Sequence, residues 1–296
     1  MTGSNRIALN DLCGVRFHRT LRVPDDGGDY PLPPSLGAMA IYRLSDDEFV
    51  VPMHKAEAVW LEFDGPSWKP HALKLGTGSV DAISGETFDE SALTAEPQDY
   101  VVIPDQPWLD GINAGEGFIR QFVAVPLGER LTVEAQLADD EEGGLRFSLF
   151  APKPGRFPDE PPRFDARDES VLMACAPPMG LGAGGRIRQE IYADEYGAGT
   201  WEPEPTGTVR VELVDALAFQ ALTGIPIPAP PIDAETYTRF GFPWFDLLSP
   251  TRRDVAAAKR LASVRSVADL QGCHDTPLAI SEAQVVRLLG LRSLIA

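Results

Sequence analysis

The sequence predicts an α+β protein, with a β-rich body of one or two sandwich- or barrel-like modules followed by a helical C-terminal region. Three observations carry this. Short apolar runs, several with period-two alternation, fill residues 14–150 between turn clusters rich in Gly, Pro and Asp. A second convincing alternating run, 209–214, follows a proline-dense stretch. Over 254–270, Leu261, Val264, Val267 and Ala268 recur at three- and four-residue steps, as one stripe of a helix does.

Taken in order, 15–23 alternates as a half-buried strand and stops at the turn cluster 24–28. Residues 31–37 (PLPPSLG) hold the chain extended, because proline fixes φ and removes donors. Apolar segments at 38–44, 49–53 and 58–63 follow. Segments 71–75 and 80–83 flank Gly76-Thr77-Gly78-Ser79, a hairpin turn by composition. The run 100–103 is apolar throughout, as in a strand buried on both faces, and 118–125, 131–137 and 145–150 continue the β-rich series. Five prolines between 152 and 167 mark a stiff connector. Beyond it, 171–176, 186–193 and 209–214 are strand candidates. Residues 216–223 turn helical and end at Gly224, and 225–231 is a proline-rich tie. Helical composition returns at 234–240 and 254–270, and Ser281 with Gln284 forms a capping box ahead of a helix over 285–295. The organisation is thus a β-rich module over 1–151, a connector over 152–170, a second β-rich module with a short helix over 171–250, and a basic helical tail over 251–296.

Composition bounds the function. The chain has 296 residues, 44% of them hydrophobic, which is enough for a core and excludes wholesale disorder. Acidic residues outnumber basic ones 44 to 26, a net charge of −18, which argues against binding nucleic acid through its phosphates. No apolar run reaches the roughly 18 residues of a membrane span. The N-terminus lacks the apolar stretch of a secretory signal. Cys13, Cys175 and Cys273 are odd in number and far apart, so no disulfide framework is expected, and a reducing cytoplasm is. Residues 251–296 hold seven basic and four acidic side chains. That tail is expected to pack on the acidic body of its own chain or of a second copy, or to meet a partner surface.

Candidate chemistry is sparse. Gly180-Leu181-Gly182-Ala183-Gly184-Gly185 satisfies G-x-G-x-x-G, but Pro177-Pro178 precedes it and strand-like alternation follows. A glycine-rich hairpin or mobile loop is expected there instead of a dinucleotide site, and no cofactor. The four histidines and Cys273-His274-Asp275 make no three-ligand metal set, and structural roles are expected for them. The densest polar-aromatic patch is 105–113. Asp105 and Asp110 are candidate catalytic carboxylates around a sugar, with Trp108 as a stacking platform. Asp105, Asp110, Asn113 and Glu116 could instead gather around a hard cation, or the patch could be a turn anchored by a core tryptophan. Ile119-Arg120-Gln121 and Ile187-Arg188-Gln189 repeat three residues after glycine-containing loops, as two related β modules would. Arg120, Gln121, Arg188, Gln189 and Glu190 are the candidate ligand-binding residues, either lining a shared cleft for an anionic or hydroxylated molecule or serving as structural ion pairs. No G-x-S-x-G elbow, P-loop or H-E-x-x-H is present.

The segments LPPSLG (32–37), QPWLDGI (106–112), IRQFVAVPLG (119–128), TVEAQL (132–137) and GRIRQEIYA (185–193) resemble a family of actinobacterial and fungal proteins. The resemblance implies that the β region is a recurring unit, and it brings no activity with it. Two functions are therefore expected. The first is a non-enzymatic cytoplasmic binding or assembly protein, acting through a protein partner, self-association or a small polar ligand. The alternative is a hydrolase of a hydroxylated or anionic small molecule using the Asp105–Asp110 pair.

Overall fold

The computed structural model describes residues 3–115, 117–158, 178–248 and 252–289. The expected strand at 171–176, most of the connector, Cys175 and Glu116 fall outside them.

Strands β1 (Ile7–Ala8), β2 (Gly14–Thr20), β3 (Asp29–Tyr30), β4 (Tyr42–Arg43), β5 (Glu48–Met53) and β6 (Ala58–Asp64) open the chain. Next come β7 (His71–Thr77), β8 (Val80–Asp81), β9 (Val101–Ile103), β10 (Trp108–Leu109), β11 (Gly111–Gly115) and β12 (Phe118–Pro126). Helix α1 (Val133–Leu137) precedes β13 (Leu145–Phe150), β14 (Pro178–Arg188) and β15 (Gly207–Asp215). The last elements are α2 (Ala216–Thr223), α3 (Ala234–Arg239), β16 (Trp244–Leu248), α4 (Lys259–Ala262), α5 (Val267–Gln271) and β17 (Val285–Leu289).

The protein is β-rich, and most of its strands join one large sheet whose main run is β1-β2-β6-β12-β14-β15-β13-β7-β8. In this sheet pairing is antiparallel apart from β3 on β14 and β5 on β15. Alternation decides which side chains enter the core: Val15 and Phe17 of β2 lie opposite Phe63 and Leu61 of β6, and all four are buried. The predicted hairpin forms, with Thr77 opposite Val80. Strands β14 and β15, beyond the proline-rich stretch, bond directly to β12 and β13, which precede it.

The echoed tripeptides meet each other. Ile119 of β12 lies opposite Ile187 of β14, both fully buried, with Arg120 opposite Arg186. The glycine string expected as a hairpin or loop is the interior of β14. A Cβ at Gly182 would strike Val267 of α5 at 2.6 Å, and one at Gly185 would run into the Pro24 carbonyl oxygen. Glycine stands there because other segments cross the strand at backbone distance, an approach that larger residues prevent.

Three further expectations are corrected. Residues 131–137 hold helix α1, because the Thr132 hydroxyl accepts the Ala135 amide and starts a helical turn. The stripe over 254–270 is divided between α4 and α5, since Ser266 and Asp269 form a capping box that begins a new helix. The box at Ser281 and Gln284 is present, but it starts a 3₁₀ turn that runs into β17, so 285–289 of the expected helix over 285–295 are strand, and 290–295 fall outside the described residues. Helix α2 ends at Gly224 in the left-handed conformation, as its sequence predicts.

Residues 252–289 pack on the rest of the same chain. Leu261 and Val264 enter the main core, Arg260 pairs with Glu86 at 2.8 Å, and Asp25 accepts the Ala268 amide of α5 at 3.2 Å. Gly185→Ala is expected to lower stability by at least about 1–3 kcal/mol, since the added methyl must displace the 21–25 segment. Urea denaturation measures it; a variant as stable as the native protein would mean the crossing is loose.

Candidate functional site

The candidate residues of the patch 105–113 are held in separate interactions. Asp105 accepts from Arg252 at 3.0 Å and from the Tyr196 hydroxyl at 3.0 Å, and Arg252 also lies over the Tyr192 ring. Asp110 is buried and joined to Gln189: its amide donates to Gln189 Oε1 at 2.9 Å, and Gln189 Nε2 donates to its carboxylate at 2.8 Å. Burial pushes the Asp110 carboxyl up to about 7, against the opposing bond from Gln189. Asp105 and Asp110 thus have different partners. Asn113 donates to the carbonyls of Ile83 and Ala256. Among the described residues no group of three metal-ligating side chains is assembled.

Glutamines act as brackets here, each offering one acceptor and two donors to backbone that no strand partner satisfies. Gln121 accepts the Val23 amide and donates to the Leu21 carbonyl. Gln106 accepts from Tyr192 and donates to Trp108, and Gln98 accepts from Asp194 and donates to Tyr100. Together with Gln189 they fasten segment 98–110 to segment 189–194.

The arginines diverge. Arg120 lies 3.8 Å from Asp25, the carboxylate that receives the α5 amide. Arg188 pairs with Asp246 of β16 at 2.9 Å and reaches the Asp29 carbonyl at 3.3 Å. Glu190 is half-buried, and its carboxyl is raised by burial and by the neighbouring Asp254.

Arg188 lines a hollow of about 620 Å³ between the main sheet and the β16–β17 pair. Its other walls include Asp29, Tyr30, Leu278, Ile280, Glu282 and Arg287. The parallel register sets Arg287 beside Asp246, next to the Arg188 ion pair. Arg287 is exposed and makes no hydrogen bond or ion pair among the described residues. The Tyr30 hydroxyl, donating to Asp26 and accepting the Leu278 amide, is raised to about 12, chiefly by burial. The hollow therefore offers one guanidinium held by a carboxylate and a second one without a partner among the described residues. Sequence reasoning misses Arg287 because the capping box predicts a helix over 285–295; the two valines opening Val285–Leu289 are the available strand signal.

Trp108 falls elsewhere, on the outward face of β2, β6 and β10. It lies opposite Glu62, with its ring edge-on to Trp60 at 6.3 Å, and His18 stacks flat on Trp60 at 4.2 Å. A second hollow, of about 540 Å³, is lined by Thr20 and Arg22 and by residues 230–233, at the end of the proline-rich tie and just beyond it.

Compared with protein-family models, curated proteins and solved structures, the chain finds no match. Among the described residues no helix is long and apolar enough to cross a membrane.

Because burial raises Asp110, its neutral form contributes stability that is complete below the ordinary aspartate range of about 4 and is lost as pH climbs through about 7. Asp110→Asn, which keeps the bracket to Gln189, is expected to match the native Tm near about pH 4 and to exceed it by about 3 °C or more near pH 8.5. Thermal melts across that range check this, and a difference independent of pH would contradict it.

Proposed function

We propose that the protein is a binding protein whose ligand is a small polar molecule with an anionic group, held in the Arg188–Arg287 hollow. The observation that carries this is the Arg287 guanidinium, which has no partner among the described residues, beside the Arg188–Asp246 pair in a cavity of small-ligand size. A guanidinium offers a fork of donors that matches a carboxylate or phosphate. Asp246 and Glu282 supply acceptors for hydroxyl groups on the same ligand. The net charge of −18 repels anions at long range, but salt screens that field beyond about 8 Å at physiological strength, so the local arginines decide. The separate partners of Asp105 and Asp110 favour this reading over a hydrolase built on that pair. The same reading takes the body as sandwich-like, since the Phe17 and Phe147 rings, from strands far apart in the sheet order, meet edge to face at 6.3 Å.

Titrating citrate and inorganic phosphate into isotope-labelled protein is expected to shift the amides of Tyr30, Arg188 and Arg287. Arg287→Ala is expected to weaken that binding by about ten-fold or more, the worth of one charge-assisted hydrogen bond. If neither anion moves those amides up to about 10 mM, beyond the range of millimolar affinity, the proposal fails.

A further inference from the structure

We propose that Ser35 is an activated nucleophile, set against His18 and Glu62 on the outward face of β2 and β6, and that it accepts acyl groups from small carboxylic esters. Ser35 Oγ lies 2.8 Å from His18 Nδ1, and His18 Nε2 lies 2.8 Å from Glu62 Oε2. Only one tautomer of the neutral imidazole satisfies both contacts with an ionised Glu62. The carboxylate can only accept, so Nε2 carries the proton; Nδ1 then presents its lone pair, and the serine hydroxyl must donate to it. That is the polarity of a nucleophile–base–carboxylate relay, with the two ring nitrogens exchanged relative to the usual serine hydrolase arrangement.

The parts are held in place. The imidazole is stacked on Trp60 with 11° between planes, and Arg16 holds the second oxygen of Glu62 at 3.4 Å. The loop carrying Ser35 is pinned to β2: Thr20 donates to the Pro34 carbonyl, Leu36 to the Arg19 carbonyl, and Arg19 to the Gly37 carbonyl. The Gly37 amide donates to Ser35 Oγ at 3.2 Å, which leaves the hydroxyl proton for His18. Ser35 is exposed, so an ester can reach it. The alternation of 15–23 places His18 outward, but nothing in the sequence says that residues 35 and 62 would meet it.

In the reaction, Ser35 Oγ bonds to the ester carbonyl carbon as its proton passes to Nδ1 and the carbonyl π pair moves to oxygen. Collapse of this intermediate breaks the bond to the alcohol, which leaves with the proton from Nδ1. Water then attacks acyl-Ser35, giving its proton to the same nitrogen, and the acid is released as that proton returns to Ser35 Oγ. The Leu36 and Gly37 amides are already committed, so neither can stabilise the oxyanion. Turnover is accordingly slow, and stoichiometric acylation is the property to measure.

With p-nitrophenyl acetate, peptide mapping by mass spectrometry is expected to find acetyl on Ser35. Exposed Ser45 and Ser91, which bond carboxylates with no imidazole, are internal controls in the same molecule. His18→Gln and Glu62→Gln are each expected to slow labelling of Ser35 by about ten-fold to a hundred-fold with Tm unchanged. The carboxamide introduced by Glu62→Gln can donate to Nε2 and so support the opposite tautomer. Saturating citrate in the Arg188–Arg287 hollow is expected to leave labelling of Ser35 intact, which separates this proposal from the ligand hollow. If Ser35 reacts no faster than Ser45 and Ser91 in the native protein, or if neither variant slows it, the proposal is overturned.

Discussion

The pairing of β12 with β14 is the contact on which the other elements depend. Ile119 and Ile187 face each other in the core, and the ladder runs from Phe118 opposite Arg188 to Pro126 opposite Met179. It unites early and late parts of the chain in one sheet. A contact so distant in sequence is closed at an entropic cost, which apolar burial along both strands offsets. The glycines of β14 allow the 21–25 segment and α5 to lie directly against it. The hollow lined by Arg188 and the anchor of residues 252–275 are both built on this ladder's edges.

Polar side chains complete what the ladder cannot reach. Gln98, Gln106, Gln121 and Gln189 each bond to backbone of a neighbouring segment, replacing ladder hydrogen bonds where strands diverge. A buried backbone amide without such a partner is costly, which is the physical reason for amides at these interior positions. Carboxyls in the same interior are disfavoured as anions: burial pushes Asp81, Asp110 and Glu134 each up to about 7. These groups hold the fold together. Chemistry is offered at the surface, where Arg287 has no partner among the described residues and Ser35 meets an oriented imidazole.

The sequence is legible where alternation is long. Strands β2, β6 and β15 follow from period-two alternation, β5, β12 and β13 from apolar runs of strand length, and α2 and α3 from their composition. It misleads where an element is short or its environment is remote. Segments of seven and five residues at 131–137 and 285–289 fit helix and strand alike, and a hydroxyl cap decides the first. The glycine string is uninterpretable until Pro24 and Val267 are known to cross it. For the site, Arg188 is a sequence candidate and does line a hollow, whereas Arg120, chemically identical and at the same place in the repeat, turns toward Asp25. Neighbours from far along the chain set that difference. The shared Ile-Arg-Gln is visible in the sequence; that the two copies pair with each other is not.

The most direct test of the β12–β14 ladder is native-state hydrogen exchange followed residue by residue. Amides of 119–125 and 181–187 that are bonded across the ladder are expected to be among the slowest in the molecule and to open with the same free energy as global unfolding. Exchange of 181–187 through an opening far less costly than that of 119–125 would contradict the account, because the late strand would then be an appendage and not part of the spine.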